Sequence, residues 1–337
     1  MVYNKYIGII GGTGTIGSII VKYLLQLQTH FHVLIGGRRS IKEISMSTFY
    51  NSERLKYNQM NYNNDVELDN FCSQCLLVIN AVGPSFKIND KIALHALRNN
   101  CHYIDIGGYG ILRDLLKPYE KSIEARKLCF IIGVGWMPGI SGVFSKTIIE
   151  THLNSPENTN FNIYYGAVDN WSYSSTYDLA ASSMGKTRSY VYSHGKEIQV
   201  SPFRYTHHKF FPFIGHKKIC MPSFDEQLTQ LATSLKQIRK ISTFIMLNDY
   251  ISMGKFMFIK IFYKHNLNKA TLMLQDDYQR LVKKENKWGS VICQVSKIEP
   301  ERKIDTFYYL YTKNNLLYTA LPAVITTQYI LEGKTKI

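Results

Sequence analysis

A chain of 337 residues, 45% apolar and 13% aromatic, is long enough for two domains with cores of their own and too apolar for an intrinsically disordered chain. The formal net charge of +15 does not read as nucleic-acid binding, because the basic residues are scattered and form no zinc finger or other compact motif; it reads as an ordinary basic surface, or as a face for a phosphorylated cofactor, an anionic substrate or an acidic carrier protein presenting one. Six cysteines in a chain of this size are not a disulfide scaffold, so a cytoplasmic location is expected.

Tyr6 to Ile10 reads as a first strand, and the glycines that follow interrupt the apolar run too early for a signal peptide. Thr15 to Gln28 reads as a helix with Ile16, Ile19, Ile20, Tyr23, Leu24 and Leu27 on one face. Phe31 to Ile35 is a second strand, and Ser40 with Glu43 makes a capping box that opens a short helix. Leu76 to Ala81 is apolar throughout, as a strand covered on both faces requires. A helix is expected over Asn89 to Asn99, with strands at Tyr103 to Ile106 and Leu128 to Val134. This alternation predicts a doubly wound parallel sheet of the Rossmann kind.

The pattern changes at Met137-Pro138-Gly139. A helix over Gly142 to Thr151 leads to strand-like runs at Phe161 to Val168, Ser189 to Tyr192 and Gln199 to Tyr205, with Ser193 to Lys196 as a turn. Ser223 and Glu226 open a helix whose stripe is Leu228, Leu231, Leu235 and Ile238. The window Phe244 to Tyr263 is the most apolar of the later chain, but Asp249, Lys255 and Lys260 make it a poor membrane span, and no membrane partner is expected. Strands at Gly289 to Ser296 and Thr306 to Tyr311 precede a closing helix from Pro322 to Leu331. The expected division is residues 1–136, 137–318 and 319–337: a cofactor domain, a second α/β domain for substrate and dimerisation, and a helix returning to the first.

Gly12-Thr13-Gly14-Thr15-Ile16-Gly17 fits G-x-G-x-x-G between a strand and a helix, the context in which that pattern binds a dinucleotide. Gly12 is expected to make the tight turn, Gly14 to admit a pyrophosphate, and Gly17 to let helix and strand approach. The second strand runs into Gly37-Arg38-Arg39-Ser40, where an NAD site would place a carboxylate on the ribose. Two guanidinium groups there favour a 2′-phosphate, so the cofactor is read as NADP(H). Ala81, Val82 and Gly83 end the next strand and are placed against the nicotinamide half, or serve as a plain strand-to-helix turn.

Gly11 to Gly17, Gly37-Arg38, Val78 to Pro84, His102-Tyr103-Ile104-Asp105, the crossing Gly133 to Ser141 ("GVGWMPGIS") and the end "YTALPAVITTQYILEGK" together resemble the saccharopine dehydrogenase-like family. The resemblance implies a Rossmann domain, a second α/β domain with a mixed sheet that often dimerises, a closing helix that returns to the first domain, and NADPH-dependent chemistry at C–N bonds. The arginine pattern that holds the substrate carboxylates of true saccharopine enzymes is not found in the middle of this chain, which turns the reading away from saccharopine itself.

Reduction of an imine needs a proton donor as well as hydride. Asp169, Trp171, Tyr173, Tyr177 and Asp178 follow the second domain's first strand, and Tyr173, Tyr177 and Asp178 are the candidate donors there. His102 is a further candidate, with packing the reading favoured for it; Asp105 is placed near the cofactor as a hydrogen-bonding group. His207 to Phe213 with His216 to Lys218 reads as a basic aromatic loop, favoured as an exposed loop with Phe anchors and alternatively as one at the substrate mouth or against a carrier. No zinc-ligand spacing occurs, so no metal is expected, and Cys72-x-x-Cys75 reads as a structural accident. The resulting expectation is a cytoplasmic, homodimeric NADPH-dependent reductase of C=N bonds in a small or carrier-presented biosynthetic intermediate. The alternatives are a carbonyl or C=C reductase of the same fold and a non-catalytic NADP(H) sensor. A short-chain reductase would need Tyr-x-x-x-Lys on a helix; the spacing occurs at Tyr192/Lys196, Tyr205/Lys209 and Tyr309/Lys313.

Overall fold

The computed structural model of the chain describes residues 5–27, 31–40, 52–108, 110–154, 156–185, 189–223, 226–263 and 265–335. The chain divides into two units, Met1–Ile140 with Leu316–Ile337, and Ser141–Asn315.

The first unit is built on six parallel strands, β1 (Tyr6–Ile10), β2 (Val33–Gly37), β3 (Leu55–Gln59), β4 (Cys75–Asn80), β5 (His102–Asp105) and β6 (Phe130–Ile132), in the order β3-β2-β1-β4-β5-β6. Parallel strands need crossovers, and helices supply them. These are α1 (Thr15–Gln26), α2 (Asp65–Ser73), the short α3 (Ser85–Ile88), α4 (Lys91–Arg98), α5 (Gly110–Leu116) and α6 (Glu120–Ala125). One face of the sheet, through Ile7, Ile9, Leu77 and Ile79, packs on Ile20, Val21 and Leu24 of α1 and on Ala320, Ala323 and Val324 of the closing helix. The opposite face carries Ile10 and Val78 against Phe71 of α2 and Ile92 and Ala96 of α4. The order reverses at β1, which lies between β2 and β4, and the crevice outside its carboxyl end is the switch point where such sheets bind ligands.

β3 and α2 were not among the sequence expectations, although Asn64 caps α2 from its side chain onto the amides of Val66 (3.1 Å) and Glu67 (3.4 Å). The expected helix at 89–99 is present as α4, preceded by the short α3, with Asn89 at φ 52° between the two. The capping box of Ser40 and Glu43 lies outside the described residues.

The second unit is built from α7 (Ile140–Thr151), β7 (Thr159–Val168), α8 (Tyr173–Gly185), β8 (Ser189–Ser193), β9 (Lys196–Val200), the turn α9 (Pro202–Tyr205), β10 (His207–Phe211), β11 (His216–Pro222), α10 (Glu226–Ser234), β12 (Lys240–Leu247), α11 (Tyr250–Phe262), α12 (Leu267–Val282), β13 (Trp288–Ile298) and β14 (Lys303–Thr312). Its mixed sheet runs β10-β11-β12-β7-β13-β14, with β7 and β12 parallel and the other neighbours antiparallel, and with the β8–β9 hairpin joined to β12. Ile245 and Leu247 of β12 pack with Ala180 of α8, Phe256 and Ile259 of α11 and Leu274 of α12. Phe244 and Met246, pointing the other way, join Tyr164, Phe211, Trp288 and Ile292.

The Ser193–Lys196 turn is present, with His194 at φ 49° and Gly195 at φ 72° closing β8 onto β9, the left-handed pair that a two-residue hairpin turn requires. The run 199–205 is not one strand: β9 ends at Val200 and Pro202 opens a helical turn, as proline at a first helical position does. The supposed loop at 207–218 is the β10–β11 hairpin. The closing helix, α13 (Asn315–Leu331), begins seven residues before Pro322, which lies inside it. No helix among the described residues is long and apolar enough to cross a membrane.

Candidate functional site

The loop after β1 is shaped by its own backbone. Gly11 stands at φ +84° and makes the turn assigned to Gly12; the chain reverses immediately after the last paired residue, so the strained position falls one residue earlier. Gly11 donates its amide to the Gly36 carbonyl (2.9 Å) and accepts from the Gly14 amide (2.9 Å). A Cβ on Gly12 would lie 2.9 Å from Ile35 Cγ2, and one on Gly17 would lie 2.2 Å from the Gly11 carbonyl oxygen, so both glycines are required by packing. A Cβ on Gly14 would meet only the Gly11 oxygen, at 3.1 Å, and would otherwise stand in open space. Gly14 is the N-cap of α1, whose first turn has no acidic residue and no capping side chain. The amides of Thr15, Ile16 and Gly17 therefore open this helix with no side chain competing for them, beside a position with no side chain of its own. A phosphate fits there on charge and on space.

Arg38 and Arg39 follow directly from β2 and are exposed. Arg39 reaches the Thr13 carbonyl with Nη2 (3.4 Å), tying its guanidinium to the glycine loop. β3 holds the backbone of this pair: Tyr57 donates its hydroxyl to the Arg39 carbonyl (2.6 Å), and Gln59 donates from Nε2 to the Arg38 carbonyl (3.4 Å). Neither arginine is ion-paired with a carboxylate among the described residues, so both charges are available to an anion. Tyr57 and Gln59 are contributors that sequence reasoning missed, because β3 itself was missed. Ser40 follows, half-buried.

At the switch point, Asn80 and Asp105 end β4 and β5 side by side, in register with Ile10 of β1. The Asp105 side chain is fully enclosed and accepts from the Tyr103 hydroxyl (2.6 Å), from Asn80 Nδ2 (2.8 Å) and from the Gly108 amide (2.7 Å). Burial pushes its carboxyl above the usual range despite these donors. Asn80 Oδ1 in turn accepts from the Val82 amide (3.0 Å), and the Ala81 amide is bonded to the Ile10 carbonyl (2.9 Å). Ala81 and Val82 thus lie against Gly11, whose Cβ would be 3.0 Å from each, and Gly83 leads through a cis bond to Pro84. Asn80 and Asp105 also line a small cavity with Ser85, Phe86, Asn89, Gly108, Ile111 and Leu112. The bonds of Asp105 are all internal to the first unit, and through Asn80 they reach the loop at 81–84.

His102 is placed elsewhere. It begins β5 rather than ending it, in register with Ile7 and Leu77, three residues or about 10 Å from the carboxyl edge. Its Nδ1 accepts the Cys129 amide (2.9 Å), and burial lowers its pKa, so the ring is neutral and structural. The structure thus places His102 at the amino end of β5, with its ring engaged by the backbone.

In the second unit, Asp169 follows β7 and is held by Lys287 (3.0 Å), Asn315 Nδ2 (3.1 Å) and its neighbour's amide (2.7 Å). Trp171 stacks on Tyr278, with ring centres 4.7 Å apart. Tyr173, Tyr177 and Asp178 occupy the first two turns of α8. Tyr173 is partly exposed and donates to Asn268 Oδ1 (2.8 Å); Tyr177, one turn on, is buried beside it, with ring centres 6.1 Å apart, and Asp178 is buried as well.

The basic hairpin is knit into the second unit's sheet. Lys209 donates to Gln294 Oε1 (2.5 Å) and Lys218, enclosed beneath Trp288, to Asn248 Oδ1 (2.5 Å) and Glu285 (3.3 Å). Burial lowers the pKa of both lysines. None of the three Tyr-x-x-x-Lys pairs lies on one helix: Tyr192/Lys196 spans a hairpin turn, Tyr205/Lys209 joins α9 to β10, and Tyr309 is on β14. Cys72, Cys75 and Cys101 are all buried, with Cys101 Sγ donating to the carbonyls of the other two (3.1 and 3.2 Å) and burial pushing its thiol up to about 11. No group of three potential metal ligands occurs among the described residues.

Residues 7–128 match the saccharopine dehydrogenase NADP binding domain family. No curated protein matches the chain by sequence. Among solved structures, the apo saccharopine dehydrogenase (L-Glu forming) of Saccharomyces cerevisiae is similar over 99% of this chain and 92% of its own, with a TM-score of 0.68 and 14% identity. The biliverdin reductase of Synechocystis sp. PCC 6803, solved with biliverdin and NADP+, is more distant, with a TM-score of 0.46 and 11% identity over 98% of this chain and 92% of its own. The first likeness shows a common fold. The glycine loop and the arginine pair both lie within the stretch that matches this NADP-binding domain family.

Proposed function

We propose that the protein is an NADPH-dependent reductase of C=N bonds, acting on a small imine or on one presented by an acidic carrier. The observation that carries the cofactor half is the placement of Arg38 and Arg39 beside a helix N-terminus without an acidic first turn. Bound there, NADPH supplies the hydride. Gly14 keeps the approach to the phosphates open, Arg38 and Arg39 neutralise the 2′-phosphate, and the Asn80–Asp105 pair fixes the turn at 81–84.

The imine nitrogen must gain a proton as its carbon is reduced. With His102 set aside, the donor is proposed among Tyr173, Tyr177 and Asp178 on α8, where a tyrosine hydroxyl or a buried carboxylic acid can hold a proton at neutral pH. The test is steady NADPH oxidation with a panel of cyclic imines and amine-plus-ketoacid mixtures. Turnover is expected with at least one, and substitution of the donor (Tyr173→Phe, Tyr177→Phe or Asp178→Asn) lowers kcat about 100-fold or more with NADPH affinity kept. Binding of NADPH without turnover of any imine would favour a redox sensor, and turnover of aldehydes or enoyl compounds alone would move the reaction to C=O or C=C bonds.

A further inference from the structure

We propose that Asp105 is a positioning residue for the nicotinamide half of the cofactor: as an ionised carboxylate it dictates which way the Asn80 amide turns, and through that amide it sets the turn at 81–84. The place of this turn follows from the strand order. The glycine loop follows β1, Arg38 and Arg39 follow β2 on one side of it, and residues 81–84 follow β4 on the other. A dinucleotide whose pyrophosphate lies at the glycine loop and whose 2′-phosphate lies on the arginines extends its remaining half over the end of β4. The inference rests on that cofactor site and not on the imine reading.

Asn80 and Asp105 are paired in register on neighbouring strands, and each is 2% exposed, so their polar atoms depend on partners inside the first unit. Three donors meet on Asp105: the Tyr103 hydroxyl (2.6 Å) and Asn80 Nδ2 (2.8 Å) on Oδ2, and the Gly108 amide (2.7 Å) on Oδ1. Burial pushes the carboxyl above its usual range, and these donors act against that shift. Only an ionised carboxylate offers two acceptor oxygens and no donor. Because it takes Nδ2, the Asn80 amide turns one way alone, with Oδ1 toward the Val82 amide (3.0 Å). An amide at position 105 breaks this set whichever way it lies. Its NH2 group faces either the Gly108 N–H or Asn80 Nδ2, and reversing Asn80 to meet it points Nδ2 at the Val82 N–H. Exchanging the two side chains restores the match. A carboxylate at position 80 accepts from the Val82 amide and from the amide at position 105, whose oxygen still accepts from Gly108. The Tyr103 hydroxyl, which also meets the Asn80 side chain, turns its proton to that carboxylate.

The test is titration of the full chain with NADPH and with adenosine 2′,5′-bisphosphate, which carries the adenosine half and no nicotinamide. Asp105→Asn is expected to weaken NADPH about tenfold or more and to leave the bisphosphate within about twofold. Asp105→Asn/Asn80→Asp is expected to recover most of the lost NADPH affinity, which two independent disruptions of a buried cluster do not do. Asn80→Ala keeps the Tyr103 and Gly108 bonds of Asp105 and removes the one to Val82. It is expected to give the same pattern as Asp105→Asn and stands in for it if that variant does not fold. Unchanged NADPH affinity in these single variants, an equal loss of both ligands, or a double variant no tighter than Asp105→Asn overturns the inference. A wild-type chain that binds neither ligand overturns the cofactor site with it.

Discussion

The glycines of the first loop look alike in sequence and are held by different constraints. Gly17 is a packing position, since a methyl group there would press to 2.2 Å from a carbonyl oxygen; Gly17→Ala is expected to destabilise the protein by about 1–3 kcal/mol or more, read from the thermal midpoint. Gly14 faces open space, so Gly14→Ala is expected to lower stability by under about 1 kcal/mol while weakening NADPH about tenfold, in the same melting experiment and a fluorescence titration. Arg38→Glu with Arg39→Glu reverses the charge at the 2′-phosphate and is expected to weaken NADPH by about 100-fold, with NADH changed much less; equal losses for both would remove the phosphate argument. His102→Gln is expected to leave turnover within about twofold of the parent, because the ring lies at the amino edge of its strand and is engaged with the Cys129 amide.

At the level of elements, α11 shows how one residue divides an apolar run. The window Phe244 to Tyr263 contains the end of β12 and the whole of α11, separated by Asp249. That residue caps α11 through the Ser252 amide (2.8 Å) and receives two bonds from Arg280 of α12 (2.7 and 2.9 Å). The Arg280 guanidinium holds the Asp249 carboxyl well below the usual carboxylate range. A depressed folded-state value means that the stabilisation is complete above the unfolded carboxyl's range, about pH 4, and is lost as pH falls through the lower folded value. Asp249→Ala is therefore expected to cost about 1–3 kcal/mol at pH 7, a figure that allows for its partial exposure, and the urea midpoints of parent and variant converge in strong acid. A gap that stayed constant with pH would mean that the charge contributes nothing.

For the whole molecule, the cofactor is the lever on stability. NADPH at a hundredfold excess over its Kd stabilises the folded chain by about 2.7 kcal/mol, and a shift of about 5–10 °C in the thermal transition is expected. NADH at the same concentration is expected to shift it less, for the same reason that the arginine variant loses selectivity. The two units differ in how they are built: the first carries its glycine loop at the reversal of a six-stranded parallel sheet, and the second is a mixed sheet in which Gln294 accepts from both Tyr164 and Lys209.

Local chemistry was readable in the sequence alone. A glycine loop between a strand and a helix, and two arginines at the end of the next strand, are contiguous in the chain, so their roles follow from spacing and charge. What depended on partners distant in sequence was not readable. Gly11 takes the strained turn because β1 pairs with both β2 and β4 up to the residue before it. His102 falls at the wrong edge because register, and not the apolar run, sets where β5 begins. β10 and β11 look like a loop because their lysines and histidines are charged or polar, and they become strands by pairing with each other and with β12. The outer face of α11 is as apolar in sequence as its inner face, and only the tertiary structure decides which of the two meets the core. Periodicity within one segment records what that segment can bury; which side it buries is set by the surface it meets.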